Sequence, residues 1–436
     1  MSATALELAH RSCADRGLGR RWQCGRLRVA LDPRSPLGGS LNLAVARYRL
    51  GSARARHRPI LLALPGGPGQ SALALAQQFR SNLPPRALRS ADLVVMDPRG
   101  TGASGALDCP TIQRVGSASA LSLADCARSL GPRARLYSTS ATVADIEALR
   151  RALAAPRISI YAISYGTYVA QRYALAHPHQ VDRLLLDSAI PLSTDPTDPT
   201  ILSSNARALQ ALCGGGHCQT VTTDVVSDFG RVATRLRHGP PFGPTITPGS
   251  GHPSATQVAG PGSLESLLLA GDYDPTLRAA TPAALHAGAR GDASLLAKLQ
   301  ATAQADELVP GVHSLSVAAY YAASCQDPSL PWSATDPLAA RQLHARALAD
   351  GVAAGLPFDS SVVLSFTNLL TCAGWPWAHR RPARSARRGR GQAIPTLVVS
   401  GSQDTISPAC GGGAPGALPS RGAPAHRALQ RTRRPR

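Results

Sequence analysis

Residues 158–171 read ISIYAISYGTYVAQ, and the fold turns on them. Ile158–Ile163 is a short, mostly apolar run, the pattern of a strand buried on both faces. From Tyr165 the spacing becomes helical and continues to about Ala176, where His177-Pro178 stops it. Ser164 stands at the junction. A tight strand-to-helix turn lifts a serine hydroxyl above a sheet, and small residues flank it because the backbone passes close by. Ala162 and Gly166 supply them, in a G-x-S-x-G pattern whose first glycine is alanine. The helix N-terminus also brings backbone N–H groups to any oxyanion that develops there. The plainer alternative is a buried serine that merely ends a strand.

Working outward, Ile60–Leu64, Leu93–Met96, Leu184–Leu186 and Thr396–Ser400 repeat the buried-strand pattern. Helical segments separate several of them. In TVADIEALRRAL, Thr142 is placed to cap a helix and Asp145 to close a capping box. Such alternation predicts an α/β fold, a mostly parallel sheet covered by helices. Ahead of it, Arg26–Leu31 and Leu41–Leu50 alternate apolar and polar residues around DPRSPLGG, a strand, turn, strand pattern. Between about Pro191 and Pro376 the alternation breaks. That stretch is rich in Ala and Leu, with a Pro/Gly-laden interruption from Gly239 to Gly262, and reads as a mostly helical insertion. The segment His379–Gln392 reads as a solvated linker. The predicted division is therefore core over residues 1–190, helical cap over 191–375, core again over 376–408, and an aberrant tail over 409–436. There is no internal repeat.

Composition narrows the class. With 436 residues, 44% hydrophobic and 17% charged, the chain is globular in type. No apolar run approaches the ~18 residues of a membrane helix, and the first residues lack a basic-then-apolar export pattern. A net charge of +20 invites a nucleic-acid partner. Yet twelve of the arginines lie between Arg380 and Arg436, against the single acid Asp404, and aromatics make up only 4%. A basic tail with few stacking platforms argues against nucleic acid. Three cysteine pairs are close in sequence, Cys13/Cys24, Cys109/Cys126 and Cys213/Cys218. Cys325 and Cys372 make a possible fourth, and Cys410 is left over. The pattern suits disulfides of an exported protein, with buried reduced thiols as the alternative.

Several other motifs carry chemistry. Pro65–Gly69 (PGGPG) follows a strand and precedes Ser164 at a distance that lets its backbone face the same oxyanion. Residues 97–105, DPRGTGASG, contain a formal G-x-G-x-x-G and so raise a dinucleotide-binding oxidoreductase. Against that, the glycines follow Asp-Pro-Arg, the strand is not the first of the sheet, and Cys109-Pro110 keeps a helix from opening at the third glycine. Asp404, just past the last strand, suits a carboxylate that orients a histidine, in the order Ser, Asp, His; Asp187 is the fallback. His177, His179 and His217 lack metal-ligand spacing and read as surface or capping residues. No cofactor is called for.

Together these residues resemble the proline iminopeptidase and tripeptidyl aminopeptidase-like family of serine peptidases, which have the α/β-hydrolase fold. The resemblance runs from about Cys24 to Pro408, through CGRLRVALD, LPGGPG, DPRGTGASG, ADIEALR, SYGTYVAQRYA, SCQD, CAGWP and LVVSGSQDTISP. It implies an eight-stranded core with a late helical cap, export with disulfides, and removal of residues or short peptides from free N-termini. It assigns Ser164 as nucleophile, the N–H groups of Gly67 and Tyr165 as oxyanion hole, and Asp404 as the acid. It also implies cap carboxylates that bind the substrate ammonium, for which Glu265, Asp272, Asp274 and Asp327 are available.

The resemblance fails at the end. Of the 27 residues from Cys410 to Arg436, twenty are Gly, Ala, Pro or Arg, and none is Val, Ile, Phe, Tyr, Trp, Met, Asp or Glu. Such a composition makes no buried strand, so the last core strand is expected to be missing. His426 is the only histidine after Asp404, and nothing around it suits a triad base. A frameshift near Ala409 into GC-rich codons accounts for both facts. The chain is accordingly expected to fold less well than its relatives and to be nearly inactive. An esterase or lipase on the same fold, and a non-catalytic remnant, stay open as alternatives. Oligomeric state is not legible.

Overall fold

The computed structural model describes residues 6–9, 13, 17–50, 58–192, 198–238, 262–306, 311–356, 359–378, 394–405 and 407. Among these residues eight strands form one sheet: β1 (Leu6–Ala9), β2 (Trp22–Asp32), β3 (Ser35–Tyr48), β4 (Ile60–Leu64), β5 (Asp92–Met96), β6 (Ile158–Ile163), β7 (Val181–Asp187) and β8 (Thr396–Val399). Their order is β1-β2-β3-β5-β4-β6-β7-β8. The pairs β1·β2, β2·β3 and β3·β5 are antiparallel, and from β5 through β4, β6 and β7 to β8 the sheet is parallel. Among the described residues β8 is an edge strand, and Leu397 is 50% exposed on it.

Helices α1 (Ala76–Asn82) and α2 (Pro85–Ser90) separate β4 from β5, and α3 (Pro110–Val115), α4 (Ala120–Leu130) and α5 (Thr139–Ala152) precede β6. Helix α6 (Tyr165–Ala176) links β6 to β7. Period-two alternation sorts the sheet's side chains between two layers. Leu43, Val45, Leu62, Val94 and Ile160 pack with Ile146 and Leu149 of α5 and Val169 and Tyr173 of α6. Ala44, Ala46, Ala63, Val95 and Tyr161 pack on the other face with Phe79 of α1, Leu88 of α2 and Trp22.

Between β7 and β8 the chain is helical: α7 (Pro199–Leu212), α8 (Val225–His238), α9 (Gly262–Tyr273), α10 (Pro275–Ala289), α11 (Ser294–Asp306), α12 (Val317–Gln326), α13 (Leu338–Ala353), α14 (Ser360–Thr367) and α15 (Leu369–Cys372). Helices α8 to α11 share a core of their own around Phe229, Val232, Leu264, Leu285 and Leu296. Helices α12 and α15 instead pack on α3 and α4 through Ala318, Ala322, Leu369, Trp375, Ile112 and Leu123.

Two local expectations are corrected. DPRSPLGG is not all turn: only Pro33 and Arg34 turn, and β3 begins at Ser35, with a register shift between Ala30 and Asp32 absorbing the extra residues. Thr142 does not cap its helix. Helix α5 starts four residues earlier, with Ser138 at the N-cap, and Asp145 turns to the buried guanidinium of Arg99. A buried arginine needs a carboxylate more than an exposed helix end does. Among the described residues four disulfides are formed, Cys13–Cys24, Cys109–Cys126, Cys213–Cys218 and Cys325–Cys372. Cys410 and the tail lie outside the described residues.

Candidate active site

Ser164 has φ 52° and ψ −125°, a conformation that serine adopts only under constraint. The constraint is visible on both sides of the turn. Its N–H donates to Asp187 O at 2.9 Å, tying it to β7, and its carbonyl accepts from Thr167 N (2.8 Å) and Thr167 Oγ1 (2.6 Å) in α6. A Cβ on Gly166 would stand 2.5 Å from Pro65 O and 2.7 Å from Leu64 O, so only glycine lets α6 start this close to β4. Ala162 is fully buried, and its methyl group is accommodated.

The glycine turn after β4 lies against the serine. A Cβ on Gly66 would be 3.1 Å from Ser164 Cβ, and Gly67 takes φ 99°, where glycine is favoured. DPRG holds this turn from behind. The buried Asp97 accepts from Ser71 Oγ (2.7 Å), Leu73 N (2.8 Å) and Ala103 N (2.8 Å). Gly102 passes so close that a Cβ there would be 2.2 Å from Asp97 Oδ2. Gly102 thus serves packing around Asp97, and Gly100 the close approach of Tyr137, a use the sequence alone did not disclose.

Both sequence-derived acids reach the same corner. Asp187 ends β7 and pairs with Val399 of β8; Asp404 follows in the next loop, where its Oδ1 accepts from Ser407 N at 2.6 Å. Burial raises the Asp187 carboxyl above its ordinary range; a hydrogen bond from Tyr161 opposes this and the charge of Asp404 reinforces it. The insertion anchors Asp404's loop: Asp272 of α9 accepts from Thr405 N (3.0 Å) and Thr405 Oγ1 (2.9 Å), and Gln403 Nε2 donates to Ala211 O of α7 at 3.2 Å.

The four candidate amine-binding carboxylates separate by their partners. Asp272 pairs with Arg278 as well as Thr405. Asp274 caps α10 by accepting from Thr276 N at 2.7 Å. Asp327 accepts from Thr139 and from the Tyr165 hydroxyl. Glu265, on α9, has a hydrogen bond with Ser365, and burial raises its carboxyl to about 7. Its charge is felt at Tyr320 and Tyr321 of α12, and Tyr320 N lies 3.2 Å from where a Cβ on Gly69 would sit. His426 lies outside the described residues, and among the described residues no His, Cys, Asp or Glu cluster could hold a metal. His177 ends α6 as its C-cap residue and packs on the Tyr173 ring, 5.0 Å between centroids.

Residues 59–217 match the family model of the alpha/beta hydrolase fold. A tripeptidyl aminopeptidase of Streptomyces lividans is 29% identical over 203 residues, covering 42% of this chain and 38% of that protein. The serine protease Hip1 of Mycobacterium bovis is 27% identical over 201 residues, 40% of this chain and 37% of that one. The chain thus spans under two fifths of the length of these relatives. Among solved structures, a proline iminopeptidase-related protein from Thermus thermophilus is 17% identical, with 89% of this chain and 82% of that one covered and a TM-score of 0.31. No helix among the described residues is long and apolar enough to cross a membrane. The sheet order, the turn at Ser164 and the match over residues 59–217 give this chain the alpha/beta hydrolase fold, and part of its length is similar to tripeptidyl aminopeptidases.

Proposed function

We propose that the chain is a serine hydrolase of the aminopeptidase kind, acting on short peptides with a free N-terminus. Ser164 Oγ attacks the scissile carbonyl, its proton passes to a base, and the amine leaves with a proton to give an acyl-enzyme that water hydrolyses. The N–H groups of Gly67 and Tyr165 stabilise the oxyanion, and Asp404 orients the base. The observation that carries this reading is the strained strand-to-helix turn at Ser164, the geometry that lifts a serine hydroxyl above a sheet. Glu265 supports the free-amine preference, since a carboxyl near neutral pKa gains its charge when an ammonium docks. The four disulfides support a secreted or periplasmic setting.

Turnover is proposed to be low. His426, the one histidine beyond Asp404, sits in a stretch of Gly, Ala, Pro and Arg that offers no framework for a base. A hydrolase lacking its base keeps the catalysis of binding and oxyanion hole, roughly 10³–10⁴-fold over water. The test compares tripeptidyl- and aminoacyl-arylamides with their N-acetylated forms. Slow cleavage of the free-amine substrates alone, abolished in Ser164→Ala, is expected. Equal cleavage of both forms would favour an esterase-like hydrolase. Peptide binding with no Ser164-dependent cleavage would favour a non-catalytic remnant, and rapid fluorophosphonate labelling would refute low turnover.

A further inference from the structure

Helix α12 reaches both turns of the candidate oxyanion hole. Just before its first residue, the chain runs along the glycine turn. Ser71 N donates to Ser314 O at 2.9 Å, Ser316 N donates to Gly69 O at 3.0 Å, and Gln70 and Leu315 form an antiparallel bridge. A Cβ on Gly69 would meet Ser316 O at 2.4 Å, so glycine is required for this approach. Gln113 holds the strap from the other side, donating to Leu315 O at 2.9 Å and accepting from Val317 N at 3.0 Å. Along the helix, Ala319 and Ala323 line one cavity with Pro68, Gly69 and Tyr165.

At the other end, Asp327 is the C-cap residue of α12. Its Oδ1 accepts from Thr139 N at 3.3 Å, and its Oδ2 accepts from the Thr139 hydroxyl and from Tyr165 Oη at 3.4 Å. The Thr139 and Tyr165 hydroxyls also hydrogen-bond each other. Two residues before Asp327, Cys325 is bridged to Cys372 of α15. The side chain of Tyr165 is thus tethered at its far end, while its backbone continues directly from the strained Ser164.

We propose that Asp327 is a positioning residue for the oxyanion hole, acting through Thr139 and the Tyr165 hydroxyl, with α12 as the brace that holds both turns in register. This rests on the serine-hydrolase reading. A strained turn persists only where its surroundings over-determine it, and the aim of the Tyr165 N–H depends on that turn. Removing an oxyanion donor outright costs about 10²–10³ in rate; loosening one costs less.

The test measures fluorophosphonate inactivation of the full chain, separating the maximal rate constant from the half-saturating concentration, together with amide exchange at Tyr165. In Asp327→Ala and in Tyr165→Phe the rate constant should fall roughly tenfold with half-saturation unchanged, and amide exchange at position 165 should quicken. The double variant should fall no further than either single one, because both cut the same link. Asp327→Asn, which keeps an acceptor for Thr139 N, should fall less. A folded Asp327→Ala with wild-type rate and wild-type exchange overturns the proposal, as does a double variant that loses the product of the two effects. Should Asp327→Ala not fold, Tyr165→Phe and Asp327→Asn decide by the same criteria. Should the wild type take no label, the hydrolase reading fails separately. Exchange at Tyr165 then decides alone: quickened exchange supports the tether, and unchanged exchange overturns it.

Discussion

At the scale of single residues, Glu265 keeps its proton to about pH 7 because burial withholds water from the carboxylate, and the hydrogen bond with Ser365 offsets this only in part. A docking ammonium favours the charged form, so binding a free-amine tripeptide near pH 6 should release a proton. Calorimetry in buffers of different ionisation enthalpy would register it, and the N-acetylated peptide should give none. Uptake or no release would remove Glu265 from the amine site. The same shift has a cost without ligand. A folded pKa above the ordinary 4.5 contributes stability that is complete below pH 4.5 and is lost as pH rises through about 7. Glu265→Gln should flatten that dependence. The turn at Ser164 was legible from its neighbours because a tight turn dictates residue size, and size is written in the sequence. Glu265 was not separable from Asp272, Asp274 and Asp327, because desolvation depends on what the chain brings around each carboxylate.

At the scale of elements, the loop after β5 is bolted to α5 by one ion pair. Arg99 and Asp145 have side chains 1% and 2% exposed, joined at 2.6 and 2.7 Å, and Arg99 also donates to Leu31 O and Leu136 O. Removing one partner leaves the other charge buried, which costs about 3–5 kcal/mol. Asp145→Asn should therefore lower the free energy of unfolding in urea by about 3 kcal/mol, and pairing it with Arg99→Met should recover a good part of that. A loss below about 1 kcal/mol in the single variant would show that water reaches the pair. The Thr142 and Asp145 spacing is that of a capping box, so local pattern alone favoured the wrong partner. What settles it is Arg99, 46 residues away in sequence. The strands were more legible: β4, β5 and β6 are mostly buried and mostly apolar, whereas Leu6–Ala9 is too short to announce itself.

At the scale of the whole molecule, the helical insertion was foreseen as a break in alternation, but not its grip on the site. Asp272 of α9, Ala211 of α7 and the strap before α12 are each tied to a site loop by contacts between residues remote in sequence, and periodicity carries no trace of such pairings. The disulfides add long-range restraint. Cys325–Cys372 closes a separation of 47 residues and Cys213–Cys218 one of 5. Chain entropy then gives the first about 4 kcal/mol and the second about 2 kcal/mol. Urea midpoints of the two double-alanine variants should fall in that order, and the reverse order would end the entropic account. The placement of the insertion also sets a timetable. Leu184 of β7 must wait for Thr396 of β8, while the Ser164 turn is built from β6, α6 and β7, which are contiguous in the chain. At about 5–20 residues per second of synthesis, the nascent polypeptide holds its candidate nucleophile for on the order of tens of seconds before Asp404 has been made. Birth order therefore keeps Ser164 and Asp404 apart until the whole helical insertion and β8 have been made.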